Sequence, residues 1–216
     1  IHDLQPGCMI VNNHHLGTFP GEDYQTFERD LPGANTGGGY SADAVIANDL
    51  PLETSDIIGK AWGYVTDDTV NRPVRELIHL LIGSAGLGAN LLLNIGPTPE
   101  GEGRPEHKER LLALGDWLNV YGETIYGTRK SFMKPAEWGV AVEKKGRIYL
   151  HITEPLKVAS KLVFNNFPYR IKKVFDYESG KSIDYTFDKK SKTLTLQPGE
   201  LDKDAVDNVI VLRIAR

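Results

Sequence analysis

Apolar positions fall into two textures along this chain. Up to about residue 129, short apolar runs alternate with helical stripes. CMIVN (8–12) reads as a short buried strand. HHLGTFPGEDYQTFERDLPGANTGGGY follows without clear periodicity and reads as one long loop, of a length usually kept for function or left disordered. DIIGKAWGYV (56–65) reads as a strand with its flanking turn. RPVRELIHLLIGSAG (72–86) predicts a helix. Pro73 suits its first turn, Val74, Leu77, Ile78, Leu81 and Ala85 form one apolar stripe, and Gly83, Gly86 and Gly88 stop it. ANLLLNI (89–95) is a continuous apolar run, as expected of a strand buried on both faces. PEHKERLLALGDWLNVYG (105–122) predicts a second amphipathic helix, lined by Leu111, Leu114, Leu118 and Tyr121 and ended by Gly122.

This alternation predicts an α/β arrangement with parallel strands over residues 1–129. Beyond Arg129 no helical period survives. WGVAVEKKGRIYLHIT turns at Lys145 and Gly146 between alternating runs, and KLVFNNF, IKKVFDY, IDYTFD, KTLTLQ and NVIVLRIA follow at close spacing. Residues 130–216 therefore read as an antiparallel β-sandwich.

Composition narrows the class. The 216 residues are 40% hydrophobic and 25% charged, which is globular. The net charge of −4, with both signs interspersed, lacks a nucleic-acid footprint. No apolar run is long enough to span a membrane. The single cysteine, Cys8, excludes an intrachain disulfide and cysteine-rich zinc sites, and its apolar surroundings suggest a buried structural thiol. IHDLQPG does not resemble a signal peptide. A chain opening on Ile1 suggests a mature form or a fragment.

Catalytic groups in α/β folds gather at the C-terminal ends of the strands. There the chain offers Asn12, Asn13, His14 and His15 after the first strand, Trp62 and Tyr64 near the next, and Asn94 after the apolar run. The long loop carrying Asp23, Tyr24, Thr26 and Glu28 leaves the same rim. Apolar rings beside fixed polar groups suit a sugar, and glycoside hydrolysis needs two carboxyl groups flanking the scissile bond. Glu28 and Asp23, and further out Glu22 and Glu53, are the carboxylates available. Each has a plainer reading: a loop carboxylate can be a solvated charge, Trp62 can be core, and Asn94 can cap the following turn. His14 and His15 are adjacent, point to opposite faces if extended, and have no third ligand, which argues against a metal. PTPEGEG lacks the lysine and spacing of a phosphate loop, and TGGGY (36–40) reads as a mobile loop.

The stretch NLLLNIGPTPEGEGRPEHKERLLALGDWLNVYGETIYGTR resembles the end of the catalytic domain of α-L-fucosidases, glycoside hydrolase family 29. AWGY (61–64), LQPGCMIVNN and GEDYQTFE resemble other segments of that family, in its order, so that the resemblance spans roughly residues 3–131. It implies the C-terminal part of a (β/α)8-like barrel followed by a sandwich. The implied activity is retaining, exo-acting release of terminal α-L-fucose from a fucosylated oligosaccharide or glycoconjugate, without metal or cofactor. By position, Glu28 stands where some family members carry the general acid/base. Trp62 stands where an aromatic ring packs against fucose, with Tyr64 and Asn94 nearby. His14 stands where the family usually has an arginine contacting the sugar, so His14 or His15 is expected to substitute. The family's nucleophilic Asp lies on an earlier strand, absent from these residues, so the other half of the catalytic domain is expected on the same or a nicked polypeptide. The resemblance favours a secreted or periplasmic location. The alternatives are an inactive paralogue and a non-catalytic carbohydrate-binding fragment using Trp138, Tyr149, Tyr169 or Tyr177.

Overall fold

A computed structural model describes residues 1–13, 19–34, 46 and 49–215, in two compact units, Ile1–Val120 and Tyr121–Arg216. Among the described residues, no helix is long and apolar enough to cross a membrane, and no cluster of His, Cys, Asp or Glu could hold a metal ion.

The first unit is built on an all-parallel sheet of β1 (Val11–Asn12), β2 (Tyr24–Glu28), β3 (Leu52–Ile57) and β4 (Ala89–Asn94), each paired with its neighbour in the chain. Helix α1 (Val74–Leu87) connects β3 to β4, and α2 (Pro105–Tyr121) follows β4.

Several expected elements shift. The first strand is only Val11–Asn12; Met9 is exposed and Cys8 half-buried, so the thiol is not core. The expected long loop contains a strand, β2, at the centre of its most polar stretch. The signal is hidden because two of its buried residues, Gln25 and Thr26, are polar. The strand expected at 56–65 lies at Leu52–Ile57 instead, for the same reason: Thr54 and Asp56 are buried but read as polar, and the chain turns at Gly59. Consequently Trp62 and Tyr64 belong to a loop, not a strand. Within α1, Leu77, Ile78 and Ile82 form the buried stripe. Gly83 and Gly86 sit inside the helix, and only Gly88, at φ 79°, ends it. In α2 the buried apolar residues are Leu114 and Trp117, whereas Leu111 is 38% exposed.

The second unit has a five-stranded antiparallel sheet, β5 (Arg129–Lys130), β6 (Gly139–Lys144), β7 (Arg147–Ile152), β12 (Asn208–Ala215) and β9 (Arg170–Asp176), in that spatial order. A three-stranded antiparallel sheet has the order β10 (Asp184–Asp188), β11 (Thr193–Gln197) and β8 (Leu162–Phe164). Residues from both sheets share one core, including Leu150, Ile210, Leu212, Leu194 and Leu196. Lys145 and Gly146, both at positive φ, make the tight turn between β6 and β7 that their sequence predicts. Buried within this unit, His151 Nδ1 lies 2.6 Å from Asp207 Oδ2 and its Nε2 lies 3.4 Å from the Thr124 carbonyl oxygen.

The aromatic residues considered for glycan binding are built into this unit. Tyr149 is 1% exposed, and Trp138 and Tyr169 pack against the core. Tyr177 is partly buried beside the rings of Tyr121 and Tyr149. Burial raises the phenol pKa of Tyr149 and Tyr177, and burial with the Glu178 carboxylate pushes Tyr121 up to about 12.

Candidate active site

Parallel strands finish at one end of their sheet, and the register fixes which side chains share a face. Thr26 stands beside Glu53, Glu28 beside Ser55, and Ile57 beside Asn94. Alternation therefore places Tyr24, Thr26, Glu28, Glu53, Ser55 and Asn94 on one face. The other face carries Phe27, Leu52 and Ala89, which cluster as core.

Glu28 is the last residue of β2 and is half-buried. The Nδ2 group of Asn13, the residue after β1, donates to Glu28 Oε2 at 2.9 Å, while Asn13 Oδ1 is buried without a hydrogen-bond partner. Immediately past Glu28 the backbone enters the left-handed region, with Arg29 at φ 55°. That conformation is uncommon outside glycine and is held here by the Arg29 N–H donating to the Ser55 carbonyl at 2.6 Å. Glu28 is thus fixed by its strand, by an amide from the neighbouring strand end, and by a bent backbone.

The other acidic residues of this region do different work. Asp23 accepts the Ile10 N–H at 2.7 Å and lies 3.1 Å from His2 Nε2. These contacts, the Ile10 N–H foremost, hold its carboxyl below the ordinary aspartate value. It precedes β2, at the end of the sheet away from Glu28, as does Glu22. Glu53 accepts a hydrogen bond from the Thr26 hydroxyl at 3.2 Å. Burial, with a smaller contribution from Glu53, raises the Tyr24 phenol.

Trp62 and Tyr64 project from the loop after β3 and are 37% and 41% exposed. This loop is tied down along its length. Asn94 Nδ2, at the end of β4, donates to the Trp62 carbonyl at 2.7 Å. Gly96 approaches so closely that a Cβ there would lie 2.5 Å from the Gly63 carbonyl oxygen. The Asp68 carboxylate accepts the N–H groups of Lys60 and Val70, at 2.8 and 2.9 Å. Arg104, just before α2, donates to the carbonyls of Val65 and Asp68, at 2.9 and 2.8 Å. The N–H groups received by Asp68, that of Lys60 first, hold its carboxyl below the usual range.

Of the residues expected at the site, Glu28 ends β2 and Asn94 ends β4, with β3 between them, and Trp62 and Tyr64 occupy the loop that Asn94 holds. His14 and His15 lie outside the described residues. Sequence reasoning did not assign the roles of Asn13, Asp68 and Arg104. The position of Asn13 directly after a strand end was the only available signal for it. The contacts of Asp68 and Arg104 are long-range and leave no periodicity.

The α-L-fucosidase family model matches residues 1–123. The chain is similar to mouse tissue alpha-L-fucosidase, 38% identical over 106 residues, which is 48% of this chain and 22% of that protein. Among solved structures, it is similar to alpha-L-fucosidase isoenzyme 1 from Paenibacillus thiaminolyticus, with TM-score 0.75 and 23% identity, covering 100% of this chain and 52% of that one. It also resembles the Thermotoga maritima alpha-fucosidase solved with fucose, with TM-score 0.68 and 25% identity, covering 98% of this chain and 46% of that one. The chain thus spans about half the length of these solved fucosidases, and its match to the mouse protein takes in about a fifth of that protein. On its family-model match and these likenesses, the chain belongs to the α-L-fucosidase family, glycoside hydrolase family 29.

Proposed function

We propose that this protein takes part in the retaining hydrolysis of terminal α-L-fucosides, with Glu28 as general acid/base. The four parallel strands and their helices form the C-terminal part of a (β/α)8-like barrel within residues 1–129, and residues 130–216 are the accompanying sandwich domain. The nucleophilic carboxylate comes from a portion of the barrel outside these 216 residues. The half-buried polar groups Glu28, Glu53, Ser55 and Asn94, which share one face of the sheet with Ile57 and Leu92, support this arrangement, because parallel sheets are ordinarily covered on both sides.

In this reading the nucleophile attacks the anomeric carbon of fucose while Glu28 gives its proton to the departing glycosidic oxygen. Glu28 then takes a proton from the water that cleaves the fucosyl–enzyme ester, releasing fucose and regenerating both carboxyl groups. Trp62 provides an apolar surface for the sugar, Tyr64 flanks it, and Asn94 holds the loop beneath it. His14 or His15, which follow Asn13 in the chain, takes the place of the family's sugar-contacting arginine. The substrate is a fucosylated oligosaccharide or glycoconjugate.

The observation that carries the assignment of Glu28 is its hydrogen bond from Asn13 at the C-terminal end of a parallel strand. Glu28→Gln should lower turnover on unactivated fucosides by about 10²–10⁴-fold, with a smaller loss on aryl fucosides whose leaving group needs no proton. Equal turnover of wild type and Glu28→Gln on both substrates would assign the acid to another carboxylate.

A further inference from the structure

The loop after β3 is held from beneath by one side chain that the catalytic reading does not use. Arg104 directly follows the PTPEGEG segment, which is itself closed by the Thr98 N–H donating to the Glu102 carbonyl at 2.8 Å. Arg104 also begins α2: its carbonyl accepts the Lys108 N–H at 3.0 Å, and Pro105 occupies the first helical position. The base of Arg104 is thus fixed twice. Its two terminal nitrogens reach separate carbonyls three residues apart, those of Val65 and Asp68. The Asp68 N–H donates to the same Val65 carbonyl at 3.3 Å, closing a turn whose outward carbonyls face the guanidinium. The Asp68 side chain returns to the start of the loop by accepting the Lys60 N–H. Residues 60–68 are therefore a strap closed by the Asp68–Lys60 contact and clamped at its far end by the Arg104 fork, and Trp62 lies within it.

We propose that Arg104 is a positioning residue that fixes the 60–68 loop and, through it, the angle at which Trp62 meets the sugar; the second part rests on the reading of Trp62 given above. Lysine can replace it only in part, because a single ammonium does not span two carbonyls as a planar guanidinium does. The PTPEGEG segment then acts to deliver this side chain under the loop.

The test is amide hydrogen exchange over residues 60–68, with steady-state kinetics on an aryl α-L-fucoside, for the wild-type protein and its Arg104→Met, Arg104→Lys and Trp62→Ala variants. In Arg104→Met, exchange in the loop should accelerate about tenfold while α1 and β4 keep their protection. KM should rise with kcat changed less, and Arg104→Lys should recover part of both effects. Exchange unchanged in Arg104→Met would overturn the proposal. Equal acceleration in α1 and β4 would also overturn it, since Arg104 would then be a general stability residue. Faster loop exchange with KM unaltered in both Arg104→Met and Trp62→Ala would uphold the clamp and overturn the sugar-facing role of Trp62. Faster loop exchange with KM raised by Trp62→Ala alone would overturn the coupling of clamp to sugar and leave the proposed function standing.

Discussion

Asn13 donates to Glu28 across 2.9 Å, joining the residue that follows β1 to the residue that ends β2. Replacing Asn13 by Ala removes this donor without altering the strand that carries Glu28. Turnover on a fucoside should fall about tenfold with little change in KM, because a misoriented proton donor affects the transition state more than the bound substrate. Parallel measurement of kcat and KM decides this, and a rise confined to KM would make Asn13 a sugar contact.

His107 in α2 is 3% exposed, and among the described residues neither ring nitrogen has a hydrogen-bond partner. It packs against Gly59, where an added Cβ would lie 3.0 Å from its Nε2. Burial, then the Arg104 charge, lowers its pKa below 6.5 despite the opposing Asp68 carboxylate. A folded-state value below the unfolded one means that the stabilising contribution is present above pH 6.5. It is lost as pH falls through the folded value. His107→Leu should flatten the acid side of the Tm–pH curve in that window and cost little at pH 8, since it removes two unpaired nitrogens. Thermal unfolding from pH 4 to 8 checks both.

Asp68 is the acceptor at both ends of its loop, so Asp68→Ala should cost about 1–3 kcal/mol, measured by urea unfolding. Its carboxyl titrates below 3.8 in the folded state, so its contribution is present above that unfolded value and is lost as pH falls through the folded one. The Ala variant should lose this part of the acid sensitivity. Gly59→Ala should act on the same groups, because its new methyl would collide with Asp68 Oδ2.

His151 and Asp207 are both fully buried at the side chain. His151→Leu leaves the Asp207 carboxylate without its partner and should destabilise the protein by about 3–5 kcal/mol. The double variant His151→Leu/Asp207→Leu should recover much of that loss, as a buried pair is replaced by apolar volume. Equal stability of the single and double variants would show that packing, not charge, dominates there.

What could be read from the residues depended on what their buried faces were made of. α1 and the strands after Arg129 bury aliphatic side chains, and their periods match their places; β4 falls on the expected apolar run, but of its residues only Ala89 is buried and Leu92 is 45% exposed, so the strand is not buried on both faces as its continuous apolar run predicts. β2 and β3 bury Gln25, Thr26, Thr54 and Asp56, so hydropathy misses the first and displaces the second toward the apolar DII and the aromatic AWGY. Asp56 tolerates burial because Arg72 Nη1 lies 2.8 Å from it, a partner sixteen residues away. The acid/base reading of Glu28 rests on resemblance. Its amide partner and the Arg104 fork depend on contacts between distant segments, which local pattern does not encode. Leu111, expected in the apolar stripe of α2, is partly exposed because the buried side of that helix is rotated to His107, Leu114 and Trp117.

The strictly consecutive order of β1 to β4 has a kinetic consequence. No strand has to be inserted between two that are already paired. Each new strand can dock on the edge left by its predecessor. This order permits vectorial growth, with the sheet lengthening sideways in the direction of synthesis and each step closing one crossover rather than the whole chain.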